Sequence, residues 1–97
     1  MILQNGRMKK MISQKLLITN AVGLHMRPAA VFAGEMMKFE CDVTIIIRDS
    51  KVNAKSLLNI MTACIKCGDE IIVECSGSDE AEAAQKAKEL IESGFPE

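Results

Sequence analysis

The order of elements read from this chain, β-α-β-β-α-β-α, predicts an α+β fold: a four-stranded antiparallel sheet with three helices on one face. Two observations carry that reading. At 97 residues the chain makes one small domain with room for two packed layers. Three helical stretches, one of them short, are too few to cover both faces of such a sheet, so one face stays open.

Each element has its own signal. Residues 1–10 are polar and aperiodic and read as an N-terminal extension or tag; the folded domain is assigned to 11–97, with Met11 as its native initiator. Lys15–Thr19 reads as a strand reaching back toward Ile12, and Asn20–Gly23 as a loop. Apolar residues at 26, 29, 30, 33, 36 and 37, with Phe32 nearby, follow the helical period. Pro28 falls in the first turn of that helix, where its missing N–H costs nothing. Cys41–Ile47 is rich in β-branched residues and predicts a strand; Arg48–Ser50 is a turn and Lys51–Ala54 the return strand. Ser56 is placed as the N-cap of a short helix running to about Ala63. Cys67–Asp69 is a turn and Glu70–Cys75 the last strand. Ser78 is expected to cap the terminal helix, with Asp79 and Glu80 in its first turn. Ala84, Ala87 and Ile91 form its apolar stripe, Glu82 and Lys86 an outer i,i+4 pair, and Gly94 and Pro96 its end.

Composition excludes several classes of function. Hydrophobic residues make up 48% of the chain, too many for a disordered segment, yet no run approaches the ~18 apolar residues that span a bilayer. The N-terminus has cations but no apolar core, so no signal peptide is read and a cytoplasmic location is expected. Net charge is −1, and there is no Trp or Tyr and no basic stripe, which argues against direct nucleic-acid binding. The four cysteines, Cys41, Cys64, Cys67 and Cys75, are read as buried free thiols rather than a disulfide framework. Cys64 and Cys67 form a CxxC, a weak redox or metal signal alone, and a zinc site needs four ligands. No metal or cofactor is expected.

The chemistry concentrates in Gly23-Leu24-His25-Met26-Arg27-Pro28-Ala29-Ala30, where a loop becomes a helix. A helix start offers unpaired N–H groups and partial positive charge. Arg27 adds a permanent cation with a planar donor fork. A neutral imidazole beside them is suited to accept a phosphoryl group near pH 7 and hold it briefly. A carrier must also release that group, so stabilisation must stay moderate. The helix terminus supplies about 0.3–1 kcal/mol and a charge-assisted arginine contact about 1.5–3 kcal/mol. One cation therefore suffices.

The His25 string resembles the phosphorylation-site motif of HPr, the histidine-containing phosphocarrier family of the bacterial phosphoenolpyruvate-dependent sugar phosphotransferase system. Lys55-Ser56-Leu57-Leu58-Asn59-Ile60-Met61 resembles that family's regulatory-serine region, and Ser56 follows His25 by 31 residues, the family's spacing. The resemblance covers about 11–92 and implies an open-faced β-sandwich. It also implies that His25 accepts phosphate through Nδ1 from phospho-enzyme I and passes it to sugar-specific enzyme IIA domains, with Arg27 as phosphate partner. It makes Ser56 the target of an HPr kinase/phosphorylase, and Leu57, Leu58, Met61 and Met26 docking positions on a monomeric carrier that is not a free-standing enzyme. Three departures stand out. Met26 takes a place more often held by a small residue, Cys64 one usually held by glycine, and Arg48-Asp49-Ser50 a turn that often carries glycine. Other readings are a regulatory module acting through phospho-Ser56 with a catabolite-control transcription factor, a carrier of a nitrogen-regulation branch, and a thiol redox module.

Overall fold

The computed structural model describes residues 11–95; residues 1–10, expected to be an extension or tag, and Pro96, expected to end the last helix, lie outside the described residues. The chain runs β1 (Ile12–Leu17), α1 (Met26–Met36), β2 (Asp42–Ile47), β3 (Ser50–Asn53), α2 (Leu57–Thr62), β4 (Glu70–Ser76), α3 (Glu80–Ser93). The four strands form one sheet in the order β1-β4-β2-β3, every pairing antiparallel. This is the open-faced arrangement expected from the order of elements.

Period-2 alternation explains how the sheet presents two unlike faces. Leu16, Val43, Ile45, Ile47, Val52, Ile71, Val73 and Cys75 point into the core and are buried. The opposite face carries one cross-strand row, Lys15–Ile72–Ile46–Lys51, in which two half-buried isoleucines are flanked by lysines. The helices cover only the first face: α3 packs on β1 and β4, α2 on β3, and α1 on both other helices. Phe32 of α1 meets Phe95 edge-to-face at 6.3 Å, tying α1 to the chain beyond α3.

Several local expectations shift. The buried arc of α1 is Pro28, Ala29, Phe32, Ala33 and Met36, whereas Met26, Ala30 and Met37 face solvent. The arc is centred on Phe32, the largest fully buried side chain. β1 stops at Leu17, although Ile18 still exchanges two backbone hydrogen bonds with Asp69 and Gly68. β3 begins at Ser50, because Ile47 pairs with Ser50 and leaves only Arg48 and Asp49 in the turn.

Ser78 does not cap α3. Asp79 is its N-cap, and its carboxylate turns away to accept the Glu40 and Cys41 amides at 2.8 and 2.9 Å. The Glu82–Lys86 pair does not form; Lys86 Nζ lies 3.9 Å from Glu35 instead. The terminal helix does end at Gly94, which takes a left-handed C-cap. Of the cysteines, Cys41 and Cys75 are buried and Cys64 and Cys67 are exposed, so only half of the expected burial holds. Cys64 takes left-handed backbone, φ +55°, between half-buried Ala63 and buried Ile65, and its own side chain is exposed.

Candidate functional site

The segment carrying His25 is fixed from beneath. Gly23 adopts φ +67°, a conformation that favours glycine. A Cβ there would stand 2.6 Å from the Ile65 carbonyl and 2.8 Å from Lys66 Cα, so only glycine lets the loop seat on the chain leaving α2. The Leu24 amide then donates to Ile65 O at 3.0 Å, and the Leu24 side chain is buried. Asn20 closes the loop across itself. Its backbone carbonyl accepts the Gly23 amide at 3.0 Å, and its Nδ2 donates to the Gly23 carbonyl at 2.6 Å. The Asn20 side chain is buried, and among the described residues no group donates to its Oδ1. Such an orphaned acceptor costs about 1–3 kcal/mol.

His25 follows as the N-cap of α1, with extended φ −83° and ψ −165°. Its carbonyl accepts the Ala29 amide at 2.9 Å, the first bond of the helix. The imidazole caps nothing and lies exposed. Pro28 has no N–H, so the donors left at this helix start are the Met26 and Arg27 amides. No acidic residue sits in the first turn to oppose the helix's partial positive charge. Arg27 is exposed and, among the described residues, has neither a hydrogen-bond acceptor nor an ion-pair partner. The exposed imidazole, the two amides and the Arg27 guanidinium thus share one turn.

The floor under this loop has its own brace. Asp69 accepts the Lys66 amide at 2.8 Å and faces Arg48 at 3.4 Å. The Lys66 amide, followed by the Arg48 guanidinium, holds its carboxyl below the ordinary carboxylate range. Arg48 also donates to Ala63 O at the end of α2, at 3.3 Å. The β2–β3 turn is therefore pinned to the segment on which Gly23 rests. Cys64, where the resemblance expects glycine, and Arg48, in the turn expected to carry one, both take φ +55°, the left-handed backbone glycine adopts most readily.

Ser56 caps α2 as expected: its Oγ accepts the Asn59 amide at 3.2 Å and Asn59 Nδ2 at 2.9 Å. α2 packs against α1, but the His25 loop touches the exit of α2 rather than Ser56 at its entrance. Six helical residues separate the two, about 9 Å of axis. Leu58 is 71% exposed, Met26 60% and Leu57 37%, whereas Met61 packs partly against the core. Among the described residues no cluster of three or more His, Cys, Asp or Glu side chains could hold a metal. No described helix is long and apolar enough to cross a membrane.

Sequence reasoning placed Asn20, Asp69 and Asp79 in their loop, turn and helix start but not the contacts their side chains make. Asn20 sits among loop-forming residues, and only its 9% exposure in the folded chain marks it as structural.

The chain as a whole has counterparts among known proteins. The family described as "PTS HPr component phosphorylation site" matches residues 12–93. The chain belongs to the HPr family. The phosphocarrier protein HPr of Mycoplasma capricolum is 44% identical over 75 residues, which cover 77% of this chain and 84% of that protein. The HPr-like protein Crh of Bacillus subtilis is 38% identical over 76 residues, covering 78% of this chain and 89% of its own. A crystal structure of HPr from Thermoanaerobacter tengcongensis superposes with a TM-score of 0.86 at 37% identity, covering 89% of this chain and 97% of that one. The HPr family consists of phosphocarriers of the phosphotransferase system, and that general role extends to this chain.

Proposed function

We propose that this HPr-family protein accepts a phosphoryl group on His25 from phospho-enzyme I and hands it to enzyme IIA domains. The observation that carries the reading is the exposed, uncapping imidazole at a helix start whose amides and neighbouring guanidinium are free. In the accepting step the lone pair of His25 Nδ1 attacks phosphorus as the bond to the donor's leaving atom breaks. The imidazole proton stays on Nε2. The Met26 and Arg27 amides and the Arg27 guanidinium meet the phosphoryl oxygens without enclosing them. Transfer onward reverses the same displacement toward a IIA acceptor, which is why a shallow, solvent-open cradle suits a carrier. Leu57, Leu58 and Met26 give both partners an exposed apolar surface; Met61, half-buried, supports it from the core side. The protein is monomeric in this reading and is turned over by enzyme I rather than being a free-standing enzyme.

The test is incubation with phosphoenolpyruvate and enzyme I, followed by intact mass. One acid-labile phosphoryl group on the wild type and none on His25→Ala are expected. No uptake, or equal uptake by both, refutes the reading.

A second, compatible role rests on Ser56. Its hydroxyl is at a helix N-cap and only partly buried, open to a kinase. Phosphorylation there would add about −1.5 to −2 charge at the entrance of the helix that bears Leu57 and Leu58. That charge would repel acidic contacts of an approaching enzyme I. The similarity to the HPr-like protein Crh supports such a regulatory role, with a catabolite-control transcription factor as partner of the phosphorylated form. An HPr kinase/phosphorylase with ATP should label the wild type and not Ser56→Ala. Ser56→Asp should accept phosphate from enzyme I more slowly, and a wild-type rate removes the regulatory claim.

A further inference from the structure

We propose that Asn20 is the positioning residue for His25, acting through the Gly23 carbonyl. The inference rests on the reading of His25 as phosphoryl acceptor. Among the described residues no side chain hydrogen-bonds to the imidazole to aim it, so its placement is inherited from the backbone at residue 25. That backbone is held on one side by α1, through the Ala29 amide. On the other side it is held by the loop 20–24, whose internal tie is Asn20. The side chain reaches three residues forward to the Gly23 carbonyl at 2.6 Å and the main chain returns the contact from Gly23 N at 3.0 Å. This double tie sets the left-handed Gly23, and Gly23 sets the seat on Ile65 from which Leu24 and His25 depart.

The choice of Asn is informative. Its Nδ2 is used while its buried Oδ1 finds no donor among the described residues. Apolar or hydroxyl side chains would avoid that orphan, and such local violations concentrate where geometry serves function. Asn20 touches neither the imidazole nor the incoming phosphate, and its effect travels through one carbonyl.

The protein is itself the substrate of enzyme I, and this separates positioning from stability. Loss of folded protein thins the pool of competent acceptor, so the apparent KM rises while kcat stays. A mis-aimed imidazole docks normally but reacts poorly, so kcat falls while KM stays. Steady-state phosphorylation by enzyme I and phosphoenolpyruvate is measured for wild type, Asn20→Ala and Asn20→Asp, with His25→Ala as control. Asn20→Ala is expected to lower kcat about tenfold with KM within about twofold. Asn20→Asp, which keeps the shape but cannot donate to Gly23 O, is expected to lose at least as much. A wild-type kcat in both variants, with or without a raised KM, overturns the proposal while leaving His25 as acceptor. An unlabelled wild type overturns both readings.

A measurement on the unaltered protein covers variants that do not fold. In 1H–15N spectra the Asn20 side-chain amide should shift on phosphorylation of His25, and by more than those of Asn53 and Asn59. An unmoved Asn20 amide overturns the proposal.

Discussion

Two helices of this protein begin on polar residues that do not cap them, and the two side chains are used in opposite ways. His25 opens α1 and leaves its imidazole exposed, without a side-chain hydrogen bond among the described residues. Asp79 opens α3 and commits its carboxylate to the Glu40 and Cys41 amides, where α1 hands over to β2. They stand at opposite ends of β4, roughly 20 Å apart along the strand. The end carrying Asp79 is packed for permanence. Gly77 there lies so close that a Cβ would meet Cys41 Cα at 2.7 Å. Burial and the adjacent Asp79 carboxylate push the Cys41 thiol up to about 12, and burial, with Glu80 and Asp79 nearby, pushes Cys75 up to about 11. At the end carrying His25, the His25 and Arg27 side chains have no hydrogen-bond partner among the described residues, and Cys64 and Cys67 are exposed, Cys67 Sγ lying 3.7 Å from Thr19 O. A polar residue at a helix start can thus serve as a strut or as a site, and the difference lies in whether its valences are already filled.

The sharpest way to break this contrast is a pair of alanine variants. His25→Ala should abolish phosphoryl uptake and leave the thermal midpoint within about 2 °C of wild type, because an exposed side chain without partners is removed. Asp79→Ala should do the reverse, lowering the midpoint by several degrees and leaving uptake kinetics intact at 25 °C. Crossed effects would mean the two ends are not separate.

Acid titration sharpens the Asp79 half. Backbone donors at Glu40 and Cys41 hold its folded pKa below the ordinary value of about 3.9. Its folded pKa lies below the unfolded one, so its stabilisation is fully present above about pH 4 and is lost as pH falls through the lower, folded value. Asp79→Ala should therefore flatten the acid limb of a stability-versus-pH curve, leaving the share that Asp69 contributes with the same sign. An unchanged acid limb would show that the two amide contacts do not carry the effect.

Thiol chemistry reads the contrast in another way. An aromatic disulfide reagent should modify Cys64 and Cys67 in the native protein, and Cys41 and Cys75 only after denaturation. Release of all four equivalents from the native state would show that the buried end opens readily.

The smallest effect concerns Arg48 and Cys64, two of the three described non-glycine residues with left-handed backbone. Cys64→Gly removes Cβ strain and no side-chain hydrogen bond, and should raise stability by about 1 kcal/mol. Arg48→Gly relieves the same strain but forfeits the contacts to Asp69 and Ala63 O, so its gain should be smaller. Equal gains in thermal melts would mean that the Arg48 brace contributes nothing.

Much of this was legible in order along the chain. The strand alternation at 43–47 and 71–75, the cap at Ser56 and the stop at Gly94 all depend on residues within one or two turns of each other. His25, Arg27 and Pro28 are likewise neighbours, so their convergence needed no tertiary information. The family resemblance drew on the same local strings. The cap of α3 went the other way. Ser78 and Asp79 are both good capping residues, and the choice between them was made by the Glu40 and Cys41 amides nearly 40 residues upstream. The buried arc of α1 turned on Phe32 for a similar reason: its partner Phe95 is 63 residues away, beyond the reach of a periodicity count.

By itself, then, the sequence determined the order of elements, the open-faced sheet, the histidine at a helix start and the single cation beside it, because each follows from backbone preference and short-range spacing. Only the tertiary structure decided what those groups are free to do. It took up Asp79 and Asn20 in long-range and loop-closing hydrogen bonds, seated Gly23 on the exit of α2, and left the His25 and Arg27 side chains without hydrogen-bond partners among the described residues. Whether a polar group is satisfied or available depends on which distant backbone reaches it, and folding alone brings that backbone within 3 Å.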